Sequence, residues 1–253
     1  MKAAHWPYPL WIAHRGAGKL APENTLAAFR LGAAHGYHAF ECDVKLSADG
    51  VPFLLHDDTL ERTTTGTGRA GDKPWSELSR LDAGRWHGRG YAGEPIASLE
   101  AIADYCLATD FRLDLEIKPT PGLEHETGRA VGDWVRKRWH GTPPLLSSFR
   151  PESLAGARES APELPRALLL DTLWPDCMAV AEALGCVAVI TNHQLMDAAL
   201  IAQIHGAGRR ALVYTVNDPE RARALLTLGI DGIVTDAVDR FSPHSRGREG
   251  INP

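Results

Sequence analysis

The feature that most constrains the fold is a regular alternation of short apolar runs with helix-like segments in the second half of the chain. Most of these runs are apolar at successive positions, which is typical of strands that are buried on both faces. Such strands occur in parallel sheets covered by helices. The predicted strands are residues 111–118, 144–149, 167–170, 187–190, 211–214 and 232–234, and the predicted helices are residues 99–108, 124–140, 178–184, 198–205 and 219–228, with another after Pro151.

The N-terminal part follows the same pattern and adds a hairpin. Leu10–Ala13 predicts a first strand, Pro22–Thr25 carries helix start signals, and residues 39–44 predict a second strand. Asp49-Gly50 is a hairpin-turn sequence that leads into a short run at residues 51–55. With strand and helix repeated about eight times, the sequence predicts an α/β protein built as a TIM (β/α)8 barrel.

The length of 253 residues suits one such barrel. Residues 58–97 are rich in glycine and threonine and predict a small loop-rich insertion after the second strand, which we expect to form a lid or a small excursion over the site. We therefore predict a single barrel domain over residues 1–241. Residues 242–253 are polar and contain glycine and two prolines, and we expect a loose C-terminal tail.

Composition excludes several classes of partner. The net charge of −5 lacks the basic excess that nucleic-acid binding requires. No apolar run approaches the length of about 18 residues that a membrane span needs. The four cysteines show no CxxC spacing and are interpreted as isolated buried thiols in a reducing compartment. We expect a cytoplasmic protein.

Polar side chains follow the apolar runs at the points where the predicted strands end. In a barrel of parallel strands, these C-terminal ends meet at the face that carries the active site. We therefore expect the polar side chains at these positions to gather there. They are His14, Glu41, Asp43, Glu116, Lys118, Ser147, Ser148, Asn192, Thr215 and Asn217.

Three of these residues predict a metal site. Glu41, Asp43 and Glu116 would place three carboxylates in one pocket, where they repel one another unless a cation lies between them. Oxygen ligands favour one divalent ion, Mg²⁺ or Ca²⁺, over zinc, with Mn²⁺ as an alternative. The competing interpretation is that some of these acids lie on the surface or pair with Arg15, Lys45 or Lys118.

Two cations beside this cluster predict an anionic substrate. Arg15 can form two hydrogen bonds with phosphate, and Lys118 supplies a point charge. Each could instead form an ion pair with the neighbouring carboxylates, and the two roles are compatible.

Two histidines complete the predicted site. His14 and His56 each follow an apolar strand beside acidic residues, and imidazole exchanges protons near neutral pH. A structural role is the alternative for both, and metal ligation is a further alternative for His56.

Three other motifs lack the context that their usual functions need. Gly66–Gly71 satisfies G-x-G-x-x-G, but no apolar strand precedes it and Pro74 follows. Gly16–Lys19 lacks the spacing of a phosphate-binding loop. Ser147-Ser148 lacks the glycines of a nucleophile elbow, which argues against a serine hydrolase.

Taken together, the motifs resemble those of the glycerophosphodiester phosphodiesterases over nearly the whole chain, from about Trp6 to Asp236. The resemblance implies a TIM barrel with a small insertion after the second strand. It also implies metal ligation by Glu41, Asp43 and Glu116, acid/base roles for His14 and His56, and phosphate contacts from Arg15 and Lys118. The motifs that carry it are His14-Arg15-Gly16, Pro22-Glu23-Asn24-Thr25, Glu41-x-Asp43, Asp49-Gly50, His56-Asp57, Leu115–Lys118 and Gly232–Asp236.

Further segments resemble, more narrowly, the cytoplasmic bacterial enzymes of the Ugp glycerol-phosphate uptake system. These segments are Trp6–Pro9, Gly18–Pro22, Pro143–Phe149 and Val213–Asn217. Many relatives carry tryptophan just before the Thr-Val-Asn turn, where this chain has Tyr214.

The sequence thus predicts metal-dependent hydrolysis of small glycerophosphodiesters to sn-glycerol 3-phosphate and an alcohol. His14 is expected to act as general base and His56 as general acid, while the nucleophile is either the substrate's own hydroxyl or water. The alternatives are a phosphoinositide or lysophospholipid phosphodiesterase, or a non-catalytic protein that binds phosphorylated metabolites. The oligomeric state is open, with a homodimer as one candidate.

Overall fold

A computed structural model describes residues 6–243 and contains a closed barrel of eight parallel strands. The strands of the ring are β1 (Trp11–Ala13), β2 (Ala39–Leu46), β4 (Arg112–Ile117), β5 (Leu145–Ser148), β6 (Arg166–Leu170), β7 (Ala188–Asn192), β8 (Arg210–Tyr214) and β9 (Gly232–Thr235). Their order around the barrel is β1, β9, β8, β7, β6, β5, β4 and β2, and pairing of Ala13 with Phe40 joins β1 to β2 and closes the ring. The predicted TIM barrel is therefore confirmed.

The hairpin predicted at Asp49-Gly50 adds one antiparallel strand outside the ring. In β3 (Pro52–Leu54), Leu54 pairs with Val44 of β2. Gly50 takes the positive φ of 78° that the tight turn requires, and its amide donates to the Ser47 carbonyl. This strand returns the chain towards the end of β2, so that His56 follows close to Asp43.

Helices connect the strands, at the positions that the apolar periodicity of the sequence predicts. Side-chain caps define several starts: the Thr25 hydroxyl accepts from the amide of Ala28, and the Asp218 carboxylate accepts from the amide of Arg221 beside Pro219. The helices are α1 (Leu26–Ala34), α2 (Trp75–Leu78), α3 (Leu99–Thr109), α4 (Glu124–Arg138), α5 (Pro151–Ser160), α6 (Cys177–Ala183), α7 (Ala198–Gly206) and α8 (Pro219–Leu228).

The barrel has two apolar layers, and the inner one determines where the polar site lies. Alternate residues of each strand point outward to the helices or inward to the barrel axis. At the N-terminal end of the barrel the inward positions are apolar and close-packed. These residues include Ile12, Ala39, Leu145, Ala167, Leu169, Ala188, Ile190, Leu212 and Val234. Two residues further along several strands, the inward positions become acidic or polar.

The predicted insertion has a small core of its own. Residues 58–97 contain two short 3-10 helices, Ala70–Asp72 and Arg89–Tyr91, besides the one-turn α2. Leu60, Leu78 and Ile96 pack with Phe53 and Leu55 in a separate buried cluster. The insertion therefore has an ordered interior, and its function as a lid stays a prediction.

The glycines of the G-x-G-x-x-G sequence serve this packing. A Cβ on Gly66 would lie 2.6 Å from Leu81, and one on Gly71 would lie 2.2 Å from the Thr120 hydroxyl. Gly68 has a φ of 84°. Close packing and a left-handed turn thus account for the motif without a nucleotide.

None of the helices described in residues 6–243 is long and apolar enough to cross a membrane. The predicted C-terminal tail at residues 242–253 lies almost entirely outside the described residues.

Helices α4 and α5 approach each other through glycines, which gives a stability prediction. A Cβ on Gly128 would lie 1.8 Å from the Ser153 carbonyl oxygen, and one on Gly156 would lie 2.1 Å from the His125 carbonyl oxygen. Gly128→Ala and Gly156→Ala should each destabilise the protein by roughly 1–3 kcal/mol, because backbone must move aside. Urea unfolding of each variant measures this.

The matched control is Gly206→Ala at the end of α7, where a Cβ would meet nothing within 4 Å. Alanine's higher helix propensity should make this change neutral or stabilising by up to about 1 kcal/mol. Equal losses in all three variants would show that close helix contact is not the cause.

Candidate active site

Three carboxylates lie at the C-terminal mouth of the barrel, as the sequence predicts. Glu41 and Asp43 share the inward face of β2, and Asp43 is the register partner of Glu116 on the neighbouring β4. One oxygen from each can be chosen so that all three lie within 4.8 Å of one another. Parallel register and a period of two along each strand therefore bring the acids together.

The oxygens of this cluster fit a cation. Glu41 Oε1 and Asp43 Oδ1 are buried and accept no hydrogen bond from residues 6–243, while the buried Glu116 Oε1 lies 2.8 Å from the Lys118 ammonium. A buried carboxylate oxygen without a hydrogen bond is costly, whereas a hard divalent ion would use all three. The group can thus hold a metal ion, and His56 is not among its members.

The protonation of the cluster reflects its crowding. Burial, with the charges of Asp43 and Glu116, raises the pKa of Glu41 well above its ordinary value. Burial and the charge of Asp43 raise the pKa of Glu116 to about 7. For Asp43 burial acts in the same direction, but Arg15, Lys118 and other neighbours outweigh it and lower the pKa to about 2. Without a cation, the cluster accordingly resists carrying three negative charges.

Arg15 and Lys118 lie beside the carboxylates. Arg15 Nε is 3.2 Å from Asp43 Oδ2, and Arg15 Nη1 donates to Glu23 over 2.8 Å. Lys118 Nζ is 2.8 Å from Glu116 Oε1 and 3.7 Å from Asp43 Oδ1. The ion pairs considered as an alternative therefore exist, and both cations remain close enough to the cavity to meet an anion there.

Asn24 fixes Asp43, a role that its place in a helix start signal did not reveal. Its Nδ2 donates to Asp43 Oδ2 over 2.8 Å, and its Oδ1 accepts from the Asp43 backbone amide over 3.1 Å. Asn24 holds a φ of 60°, which asparagine tolerates better than most residues. The amide therefore fixes Asp43 while leaving its other oxygen free.

His14 is oriented by a carboxylate from the far end of the chain. His14 Nδ1 donates to Asp236 Oδ1 over 2.6 Å, and Asp236 Oδ2 accepts from Asn217 Nδ2 over 2.9 Å. His14 Nε2 lies 3.6 Å from Glu41 Oε2. With Nδ1 engaged, Nε2 is the nitrogen directed at the carboxylate cluster.

His56 has a similar arrangement from the other side. Its Nδ1 donates to Asp57 Oδ1 over 2.8 Å, and its side chain is about one third exposed. Burial is the largest influence on the pKa of His56 and lowers it. The charges of Arg15 and Lys118 also lower this pKa, whereas the charge of Asp43 raises it. The ring therefore favours the neutral form more than a free histidine does.

Both histidines face one cavity of about 180 Å³. Its walls include His14, Arg15, His56, Lys118 and Tyr214, with Glu41 and Glu116 at the mouth of the barrel. A larger groove of about 650 Å³ shares His56, Lys118 and Phe149 with it and extends outward to Trp174. A compact chamber lined by charged and apolar side chains thus adjoins a wider groove open to solvent.

The remaining predicted polar residues take supporting positions. Ser147 donates to the buried Asp114, and Ser148 donates to the Ile117 carbonyl, so neither is free to act as a nucleophile. Asn192 accepts from the amide of Gln194, whereas Thr215 lines the cavity. These hydroxyls and amides hold backbone and carboxylates in place.

Asp114 is a buried acid that the sequence reasoning missed. It precedes Glu116 by two residues on β4 and so shares its inward face, a period-two signal that was available. Burial raises the pKa of Asp114 to about 7 despite the bond from Ser147. It is the register partner of Glu41 and is not a member of the candidate metal group.

Comparison with known proteins gives a consistent family. Residues 14–240 match the glycerophosphoryl diester phosphodiesterase family. A glycerophosphodiester phosphodiesterase of Caldanaerobacter subterraneus is 31% identical over 231 residues, covering 90% of this chain and 93% of that protein.

Solved structures agree over the same length. A phosphodiesterase of Oleispira antarctica in complex with the product sn-glycerol 3-phosphate is 36% identical, with a TM-score of 0.86 and coverage of 90% of this chain and 93% of that one. A glycerophosphodiester phosphodiesterase of Agrobacterium tumefaciens is 30% identical, with a TM-score of 0.78 and coverage of 91% and 97%.

The crowded carboxylates predict opposite effects of one substitution with and without metal. A raised pKa means that the folded state loses stability as the pH rises above the ordinary value of 4.5 for Glu41. At pH 8 in chelator, Glu41→Gln should therefore unfold at a higher temperature than the wild type. With Mg²⁺, Ca²⁺ or Mn²⁺ at about 100 times the dissociation constant, the wild type should gain roughly 2.7 kcal/mol, or roughly 5–10 °C, and the variant much less.

Differential scanning fluorimetry with each ion measures these shifts. Glu159→Gln is the matched control, because its side chain is 61% exposed and lies in the ion pair with His125, away from the cluster. If none of the three ions changes the melting temperature of the wild type, the prediction of a metal site is contradicted.

Proposed function

The chain belongs to the glycerophosphoryl diester phosphodiesterase family of phosphoric diester hydrolases, and on this basis we propose that it hydrolyses small glycerophosphodiesters to sn-glycerol 3-phosphate and an alcohol. The observation that carries the proposal is the cavity where a cluster of three carboxylates adjoins two cations and two oriented histidines. Two of these carboxylates have a buried oxygen that accepts no hydrogen bond from residues 6–243. Glycerophosphocholine and glycerophosphoethanolamine are the representative substrates. The product bound to the Oleispira antarctica relative agrees with this choice.

Glu41, Asp43 and Glu116 would hold one divalent ion, with Mg²⁺ or Ca²⁺ favoured and Mn²⁺ as an alternative, because all available ligands are oxygens. When bound, this ion would polarise a phosphate oxygen, lower the pKa of a coordinated hydroxyl and offset negative charge in the transition state.

Arg15 and Lys118 would bind the phosphate. Both already balance the charge of Asp43, and each has donors left for an anion in the cavity. The guanidinium would orient the phosphate through paired hydrogen bonds, and the ammonium would attract it as a point charge. Together they offset the negative charge that develops on the non-bridging oxygens.

The histidines would move the protons. Asp236 holds His14 with Nε2 directed inward, which suits a general base that takes the proton from the nucleophile. His56 lines the 650 Å³ groove, the larger of the spaces available to an alcohol of variable size. We therefore assign His56 as the general acid that protonates the departing alcohol.

Two nucleophiles are compatible with a base at His14, namely the substrate's own hydroxyl and water. Attack by the hydroxyl passes through a cyclic glycerophosphate, whereas attack by water does not. Rapid-quench trapping of the cyclic phosphate in single-turnover reactions distinguishes the two routes.

A cytoplasmic location is part of the proposal. Cys42, Cys106, Cys177 and Cys186 are all free and buried. Four unpaired thiols in a protein of this size are typical of a reducing compartment.

A lysophospholipid phosphodiesterase is the second candidate function, because an apolar groove adjoins the site. Trp174 lines both the active-site groove and a separate groove of about 360 Å³ formed with Leu173, Met178 and Leu200. An acyl chain could lie there, whereas a glycerophosphodiester needs no such surface.

The two candidate functions predict different substrate preferences. If small diesters are the substrates, kcat/KM for glycerophosphocholine should exceed that for monomeric lysophosphatidylcholine, and Leu173→Ser should change neither value. A preference for the lysolipid that Leu173→Ser removes would favour the second function. Release of glycerol 3-phosphate and choline, followed separately, measures the first reaction, and release of lysophosphatidic acid measures the second.

The assigned proton transfers predict large losses of turnover. His14→Ala and His56→Ala should each lower kcat for glycerophosphocholine by roughly 10²-fold or more, since a positioned acid or base contributes about that much. Circular dichroism and melting temperatures should stay close to the wild type. His125→Ala is the control, because this exposed histidine pairs with Glu159 outside the site. Near-normal turnover in either site variant would remove that histidine from the chemistry.

A further inference from the structure

One guanidinium of the insertion joins the partners of two site residues. Arg62 Nε and Nη2 donate to Asp57 over 2.6 and 3.0 Å, and Arg62 Nη1 and Nη2 donate to Glu23 over 2.7 and 2.8 Å. Asp57 in turn binds His56, and Glu23 binds Arg15. A continuous chain of charge-assisted hydrogen bonds therefore runs from the His56 imidazole to the Arg15 guanidinium.

The arrangement requires the shape of arginine. Arg62 engages both oxygens of Asp57 and both oxygens of Glu23 through its planar fork. A lysine at this position could place a positive charge there but could not reproduce four directed bonds. The bond from Arg62 is also the largest influence lowering the pKa of Asp57, so this carboxylate stays ionised beside His56.

The backbone that carries Arg62 is fixed by the insertion's own packing. Leu60 is fully buried in the separate cluster, and its amide donates to the Gly68 carbonyl over 3.1 Å. The Leu60 carbonyl accepts from both the amide and the hydroxyl of Thr64, over 3.0 and 2.7 Å. The guanidinium is thus held at a defined position relative to the barrel mouth.

Folding alone gives little reason for this network. The Arg62 side chain is 45% exposed, and solvent screening weakens the contribution of exposed ion pairs to stability. The two carboxylates it joins are instead those that orient a proton-transfer group and a phosphate contact of the proposed reaction.

We propose that Arg62 is a positioning residue that fixes the positions of His56 and Arg15 relative to each other, acting through Asp57 and Glu23. The inference rests on the proposed function, because it concerns the residues that would carry that reaction. Without Arg62, both carboxylates lose their common anchor and can rotate with the groups they hold. A displacement of about 1 Å can lower the rate of an oriented reaction by about 10²-fold.

Steady-state kinetics of Arg62→Ala and Arg62→Lys with glycerophosphocholine test this proposal. We expect kcat to fall by roughly 10-fold or more in both variants, with a smaller rise in KM, and with melting temperatures close to the wild type. Arg62→Lys should recover little of the lost activity, because charge alone does not replace the fork. Wild-type kcat in the lysine variant would overturn the proposed geometry.

The matched control is Arg85→Ala, which removes a 71% exposed arginine that pairs with Asp82 within the same insertion. It should keep wild-type kcat. An equal loss in this variant would show that any disturbance of the insertion lowers activity, and would contradict a specific role for Arg62.

A double-mutant cycle tests the route of the effect. In a His56→Ala background, Arg62→Ala should lower kcat by a smaller factor than in the wild-type background, since one of the two groups that it positions is already absent. The same fold loss in both backgrounds would overturn action through His56. If the wild type itself releases no product from any diester, the proposed function fails; if it does and Arg62→Ala is fully active, only the positioning role fails.

Discussion

Mutual repulsion among three buried carboxylates is the constraint on which the rest of the site depends. Glu41 and Asp43 each have a buried oxygen that accepts no hydrogen bond from residues 6–243, and Glu116 Oε1 is buried beside the Lys118 ammonium. A protein core normally excludes such an arrangement, because buried charge is costly unless it is paired. Burial acts to raise the pKa of Asp43, but Arg15, Lys118 and Asn24 outweigh it and lower this pKa, while burial and neighbouring charge raise the pKa values of the two glutamates. The site is therefore prepared for positive charge.

The barrel provides the geometry for this cluster at little structural cost. A change from apolar to acidic along the inward face of β2 needs only the sequence Ala39-Phe40-Glu41-Cys42-Asp43, in which alternate residues face the helices. The apolar layer beneath keeps water from the barrel interior and supports the polar layer above it. The same strands thus supply the apolar residues that stabilise the barrel and, closer to their C-terminal ends, the polar residues of the site.

How much could be predicted from the sequence depends on whether a relationship is local. The barrel, the hairpin at Asp49-Gly50 and the convergence of Glu41 with Asp43 follow from periodicity within a few residues, and all were predicted. The partnership of His14 with Asp236 was not, since 222 residues separate them and only closure of the ring brings β1 beside β9.

The insertion illustrates the same limit more strongly. Its glycines and threonines predicted loops, but neither its separate core nor the position of Arg62 follows from any short-range pattern. Arg62 reaches Glu23 across 39 residues because the loop packs beside the start of α1, which depends on tertiary contacts of Leu60 and its neighbours. Long side chains with several partners are the least predictable part of a site, because their conformation is determined by surroundings that come from distant parts of the chain.

Charge balance at the mouth of the barrel connects these features with an anionic substrate. With all three carboxylates ionised, Arg15 and Lys118 compensate two of the negative charges, and one remains. A divalent ion would change the formal charge of this group of residues from one negative to one positive. A bound phosphodiester group, which carries one negative charge, would then bring the total to zero. Glu23 and Asp57 lie outside this count, and Arg62 compensates one of their two negative charges. A ligand group without a negative charge would leave positive charge buried in the same cavity, so the balance of fixed charges itself favours an anionic group, such as a phosphodiester, at this position.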